Sequence, residues 1–481
     1  RTRATPTALA AGRDHRARGT FSAAGLAAMR SPNPLATRWR TFRTWLNAPE
    51  DIAGLAVYRV AFGLMMAFSA ARFMAQGWIE RVFVEPTFFF RYPGFEWVQT
   101  WAPLGLYLHF SLLVALALCV ALGVFYRITL ALFILGFAYV QLLDVTNYLN
   151  HYYLVGLLAG LMLLMPLNGA VSVDARLWPQ LGRTTVPRWM RLLLRFQVAV
   201  VYFYAALAKF GADWLLYAQP MNLWLVARTE TPVLGPLFAE LWVAYAMSWF
   251  GFLYDLTIPL FLSHRRSRTL AYVAVVVFHL MTWVLFDIGM FPIIMIVSAT
   301  LFFEPSWPRR FLPIGSGGPN RGAPLNAFYT GALCAYCLVQ LALPARHFFY
   351  DGDVLWNERG MRYAWKVMVR EKNGSVTYRV RSGDREWQVS PREYLDLRQS
   401  TEMSGQPDLI VQLGKHIAGE FERKGVSPVA VYVDTRVSLN GRRAQPLIDP
   451  DFNILNANGR DHSWLLPAPT EPPPQLRGII E

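Results

Sequence analysis

Apolar residues in this chain come in long unbroken blocks, not in the alternation of half-buried strands or the one-sided stripe of surface helices. The blocks lie at 54–75, 103–125, 127–143, 152–170, 191–210, 239–262, 269–286, 288–303 and 325–345. Each is about 16 to 24 residues with few charges, enough to cross a hydrocarbon core of roughly 30 Å as a helix. A helix satisfies its own backbone groups in lipid, so the pattern predicts a polytopic α-helical membrane protein with about eight to nine transmembrane helices. From about Arg346 the pattern changes. TYRVRSG, EWQVS and VAVYVDTRVSLNG alternate like strands, Asn373-Gly374 is expected as a hairpin turn, and 391–424 as helical. The expected layout is a basic, largely disordered N-terminal arm at 1–49, a transmembrane domain at 50–345, and a small C-terminal α+β extramembrane domain at 346–481.

The net charge of +14 would suit a nucleic-acid binder, but its placement does not. The arm carries nine Arg and one Asp. If it is cytoplasmic, the inner loops hold Arg127, then Arg176, Arg183, Arg188 and Arg191, then Arg265, Arg266 and Arg268, then Arg309, Arg310 and Arg321. The outer connections hold Arg81, Arg91, Lys209 and Arg228. Nine spans, with the N-terminus cytoplasmic and the C-terminal domain outside, satisfy the positive-inside rule, and no nucleic-acid partner is implied. Short loops and Arg/Ala richness point to a bacterial inner membrane.

Cys119, Cys334 and Cys337 form neither a disulfide framework nor a four-ligand site, and no metal is expected. The first 28 residues lack the apolar stretch of a signal peptide and precede Met29, which suits a disordered arm or an upstream misreading of the start. Residues 76–102 are an aromatic outer segment, suited to an interfacial belt, a re-entrant piece or a substrate cover. The GSGGPNRG run in the linker 304–324 follows no strand, so it is not read as a phosphate loop.

Candidate chemistry concentrates toward the outer face. Of five lysines, Lys209 is the only one before position 366. Arg stays protonated, whereas a Lys amine taken out of water can lose its proton and act as a base. A lysine snorkelling to the interface explains the residue equally well. Tyr202 lies seven residues earlier on the same helical face, and Ala205, Ala206 and Ala208 leave room for a cavity or for close helix packing of the kind Gly156 and Gly160 suggest. Asp144, Asn147, Asn150 and His151 crowd one outer turn; His279 and Asp287 lie toward the outer end of the seventh helix. Polar groups from several elements at one depth point to a functional site. His109 and Asp255 are read as structural and away from this level.

The runs FYRITLALFILGFAYVQLLDVTNYLNHYYLVGLL, VYFYAALAKFGADW, FHLMTWVLFDIGMFP and FEPSWPRR resemble the vitamin K-dependent gamma-carboxylase family and its wider group of HTTM-domain membrane proteins. QLALPARHFF, YAWKVMV, VYVDTRVSLNGR and PLIDPDFNI resemble the start of that family's lumenal domain. The resemblance covers roughly residues 50–465. It implies an enzyme that oxygenates vitamin K hydroquinone to the epoxide with O2 and uses the base so formed to carboxylate a glutamate γ-carbon with CO2. Lys209 matches the family's catalytic lysine; Asn150, His151, Tyr202 and His279 match its quinone-holding positions. The implied partners are a membrane quinol and a glutamate-containing protein or peptide. Arg370 stands where animal members have a histidine, and the chain stops short of the family's further lumenal region, so propeptide docking is not carried over. Tyr378, Arg379, Arg436 and Arg442 are candidate contacts for an acidic peptide, against an ordinary solvated surface. The alternatives are a quinol epoxidase without protein carboxylation, a non-catalytic quinone-binding protein, and a proton-coupled transporter relaying through Lys209, Asp144 and His279.

Overall fold

The computed structural model describes residues 34–314, 325–459 and 461–476; the GSGGPNRG run and most of the N-terminal arm lie outside the described residues. Within the arm, Pro34–Leu46 is helical (α1), where the sequence suggested disorder. Trp39, Phe42 and Trp45 are half-exposed on it.

Helices occupy all nine apolar blocks: α2 (Ala53–Ala75), α3 (Pro103–Leu122), α4 (Tyr126–Leu142), α5 (Asn150–Leu163), α6 (Arg188–Lys209), α7 (Leu241–Ser263), α8 (Arg268–Leu285), α9 (Phe291–Ala299) and α10 (Ala327–Ala345). Among the described residues, six helices are long and apolar enough to cross a membrane: α2, α3, α6, α7, α8, and α10 with the turn after it. The fold is mostly helical and multi-pass. Two ends fall earlier than the apolar pattern suggests. α3 stops at Leu122 because Gly123 turns left-handed, with φ +67°. α5 stops at Leu163, ahead of Pro166 and a single turn at Leu167–Gly169, since proline disfavours helical backbone before it.

Two glycines fix the helix packing. A Cβ on Gly63 would lie 2.5 Å from the backbone nitrogen of Ala121, so α2 and α3 cross here in near backbone contact. A Cβ on Gly123 would lie 1.9 Å from Nη1 of Arg59, whose buried guanidinium donates to the carbonyls of Val120 and Val171. Gly156 and Gly160, expected at a close crossing, instead meet no other atoms within 4 Å of a Cβ position. Asp174 accepts from the backbone nitrogens of Phe125 and Tyr126 at 2.7 and 3.0 Å, capping α4. Glu50 takes Arg188 and Arg191 at 2.8 and 2.7 Å, and Asp51 takes Arg309 at 2.6 Å.

The region after α10 carries a three-stranded antiparallel sheet, order β2-β1-β3, from β1 (Lys372–Ser382), β2 (Arg385–Val389) and β3 (Ala430–Leu439). Val376, Tyr378 and Val380 alternate into its core. α11 (Leu397–Ser404) and α12 (Pro407–Arg423) occupy the stretch expected as one helix; the break falls at Gly405, with Pro407 opening α12. Asn373-Gly374 is not a turn. It lies inside β1, opposite Ser438 and Val437, and a Cβ on Gly374 would come within 3.0 Å of the Ser404 carbonyl, so close backbone approach explains the glycine. The hairpin between β1 and β2 turns instead at Gly383, with φ +57°.

Among the contacts that fasten this region to the membrane half, two sets involve the sheet and its helices. Phe90 and Val145 sit in its apolar core, Gln412 accepts the backbone nitrogen of Arg91 at 2.6 Å, and Gln399 donates to the Phe88 carbonyl and Asp144 at 2.8 Å each. Much of the aromatic segment, read from sequence as an interfacial belt, a re-entrant piece or a substrate cover, thus packs against the sheet region, although Trp97 remains 74% exposed. In the second set, Asp213 accepts from Arg442 at 2.6 and 2.7 Å and from Asn440 at 2.7 Å, and Trp224 donates to Glu371 at 2.7 Å.

Candidate functional site

Lys209 is the last residue of α6. Its side chain folds back along the helix, with Nζ 3.3 Å from the Ala205 carbonyl and 2.8 Å from Oδ2 of Asp255 on α7. Lys209 is 7% exposed and Asp255 5%. Trp214 lies against the amine, 5.3 Å from ring centre to Nζ, and its indole donates to the Ser248 carbonyl at 2.7 Å, fixing the end of α6 against α7. Two turns earlier, the Tyr202 hydroxyl is 3.2 Å from Nε2 of His279 on α8. The other ring nitrogen of His279 is buried with no hydrogen-bond partner.

These four groups line one cavity of about 80 Å³. Its other walls are aromatic and methionine-rich, and Val367 and Met368 from the strand-leading segment close one side. The structure therefore unites Lys209, Tyr202 and His279, and adds Asp255. The sequence reading set Asp255 aside as structural and away from this level; it lies instead at the level of Lys209, 2.8 Å from its amine and in the wall of the same cavity. Asp255 is the only acid inside the 239–262 block beyond its first turn; a carboxylate in mid-span is a signal in its own right.

Asn150 and His151 do not line this cavity. His151 is buried with Nε2 unpartnered, and its ring lies 6.1 Å from that of Phe291, which is 5.7 Å from the ring of His279. Phe291 thus neighbours both imidazoles. Asn150 accepts the Tyr148 hydroxyl at 3.1 Å. A larger cavity of about 850 Å³ lies among α2, α3, α4 and α11, with Asn147 and Tyr152 in its wall but neither Lys209 nor His279.

Several expected members fall elsewhere. Asp144 is fully buried but accepts from Thr146 and Gln399, anchoring the sheet region; burial pushes its carboxyl up while those bonds pull it down. Asp287 is exposed. Among the arginines considered for an acidic peptide, Arg442 is taken by Asp213 and Arg379 by Asp434 at 2.9 Å. Tyr378 is buried, donating to the Ile410 carbonyl. Arg370 pairs with Glu358 at 3.0 Å. His109 contacts the Gly136 carbonyl at 2.9 Å through Nε2.

The donors fit a quinol in kind: an amine, a tyrosine and a half-unpartnered imidazole face an apolar space. The space itself is smaller than a bicyclic head group. Methionine walls can give way, having three flexible torsions each. Two family models match the chain: the HTTM domain over residues 47–307, and the vitamin K-dependent gamma-carboxylase lumenal domain over residues 325–471. No solved structure matches it. With the first match covering more than half its length, this multi-pass membrane chain belongs to the vitamin K-dependent gamma-carboxylase family.

Proposed function

We propose that the chain couples oxygenation of reduced vitamin K to γ-carboxylation of glutamate in a protein or peptide, with Lys209 as the group that accepts the quinol proton. One observation carries the reading: a buried amine, the Tyr202–His279 pair and a carboxylate share an apolar cavity among membrane helices. When bound, the reduced vitamin supplies with O2 the strong base that exchanges a glutamate γ-proton for CO2. The residues' own work is simpler. Lys209 takes a hydroxyl proton in a site from which water is excluded. Tyr202 and His279 hold and polarise one ring oxygen; Asn150 and His151, outside the cavity as it stands, hold the other once Phe291 gives way. We place the nine helices as spans, with the 50–345 region in a bacterial inner membrane, the arm cytoplasmic and the 346–481 region periplasmic.

Protein purified into nanodiscs, given reduced vitamin K, oxygen, bicarbonate and a Glu-rich peptide, should form both quinone epoxide and γ-carboxyglutamate. Lys209→Ala should lose nearly all of both. Retained activity in Lys209→Arg would count against the amine, since a guanidinium does not give up its proton usefully. A quinol epoxidase without protein carboxylation is the second reading, favoured by the commitment of Arg379 and Arg442 to internal acids. Epoxide without carboxylated peptide would select it. The relay transporter is disfavoured because Asp144 does not line the cavity and is engaged by Gln399.

A further inference from the structure

We infer that Asp255 is the second half of the base: it acts through Lys209, aiming the amine into the cavity and taking up the proton that the lysine relays. This rests on the quinol reading above. Lys209 and Asp255 together carry no net charge whichever heavy atom holds the shared proton, so the pair tolerates a site where either group alone would be heavily penalised. They are also the only Lys, Arg, Asp or Glu among the residues lining the cavity.

Asp255 differs from the carboxylates that act as fasteners. Asp174 accepts from Phe125, Tyr126 and Asn168; Asp144 accepts three bonds from Thr146 and Gln399; Asp213 accepts three from Asn440 and Arg442. Asp255 accepts one among the described residues, from Lys209. Its remaining lone pairs are available to a proton. Nζ, bonded to Asp255 and to the Ala205 carbonyl, keeps one bonding direction for the substrate hydroxyl.

The transfer balances. The N–H facing Asp255 breaks first and an O–H bond forms at Oδ2, leaving Nζ a neutral amine; rotation about the Cε–Nζ bond turns its lone pair into the cavity, where the hydroxyl O–H bond breaks as a new N–H bond forms at Nζ. Lysine ends as the ammonium it began as, Asp255 ends as a carboxylic acid, and the single positive charge faces the oxygen left negative. No oxidant or reductant enters. The lysine therefore stabilises the product of the transfer electrostatically instead of being neutralised by it.

The test uses the full chain in nanodiscs without oxygen, so that nothing turns over. Binding of reduced vitamin K is followed by quenching of tryptophan fluorescence, Trp214 and Trp224 both lining the cavity. Infrared difference spectra should then show a new carboxylic-acid carbonyl band. The band should shift when aspartate is carbon-13 labelled, and vanish in Asp255→Asn and Lys209→Met. With oxygen restored, Asp255→Asn should lower kcat for epoxide about 100-fold or more with quinol KM within about threefold, and Asp255→Glu should recover to within about tenfold of wild type. Quinol binding to labelled wild type without the band overturns the inference, even if the Asn variant does not fold. Lys209-dependent epoxide formation without the band would keep Lys209 as base and remove Asp255 from the proton path. No binding and no epoxide in wild type would remove the quinol reading and this inference with it.

Discussion

Two buried lysines sit at opposite ends of this molecule's chemistry. Lys372 opens β1 with a fully covered side chain, and its amine donates to the carbonyls of Trp356 and Gly405 and to Glu358 at 3.2 Å. Three donors meet three acceptors, and the backbone of Gly405 lies against the stem. Lys209 is nearly as buried and also lies near an indole, as Lys372 does, but it has two acceptors and an open space. Burial and aromatic contact are common to both. What separates a fastener from a reactive amine is a spare bonding direction facing free volume, where a lone pair can meet a substrate proton.

The sharpest way to break that contrast is to remove each amine in turn. Lys209→Ala should cut epoxide and γ-carboxyglutamate formation by about 10²–10⁴-fold, the range for a lost general base, while the protein stays folded. Lys372→Met should leave turnover per folded molecule within about threefold. It strands two buried carbonyls and weakens a buried ion pair, so it should lower unfolding free energy by about 2–4 kcal/mol, read from thermal or denaturant unfolding in nanodiscs. Glu358 retains Arg370, which keeps the loss below that of a fully orphaned charge. Loss of chemistry in a folded Lys372→Met protein would erase the distinction.

A finer test uses protons. Burial pulls the Lys372 amine down to about 8, with Glu358 opposing it, whereas an unfolded lysine titrates near 10.4. Between those values the unfolded chain binds more protons, so this residue makes stability rise with pH across that window, by at most about 3 kcal/mol. The wild-type minus Lys372→Met difference in unfolding free energy should therefore grow from about pH 7.5 to about pH 10. A flat difference would mean that the three acceptors fully offset the cost of burying the ammonium.

Much of this was legible in the sequence because lipid imposes a one-dimensional rule. Apolar length locates helices, and all nine blocks hold one. The rule says nothing about how far one helix is slid along its neighbour. Asp255 lies 14 residues into α7, which on helix rise alone is about 21 Å below that helix's start. It meets Lys209 because α7 begins well beyond the end of α6, where Trp214 is pinned to Ser248, and because the lysine folds back toward Ala205. Nor do small residues reveal which face meets a partner: Gly63 does and Gly156 does not. Asn373-Gly374 misled for a related reason, since a glycine admitted for close approach looks like one admitted for a turn. Tyr202 and His279 share the cavity with Lys209, a grouping that needed only the helix and depth of each.

The smallest expected effect sharpens the comparison most. Tyr202→Phe removes one hydroxyl from the cavity and leaves the ring that packs there, so its cost is the hydrogen bond to His279. A net contribution of about 0.5–1.5 kcal/mol corresponds to a loss of about two- to tenfold in epoxide kcat/KM. The loss should be largely shared with His279→Gln, because the two side chains are bonded partners and the double variant should fall less than the product of the singles. If Tyr202→Phe were instead as damaging as Lys209→Ala, the hydroxyl would itself lie on the proton path. A spare bonding direction on an amine would then no longer be what distinguishes this site from the lysine locked in the sheet region.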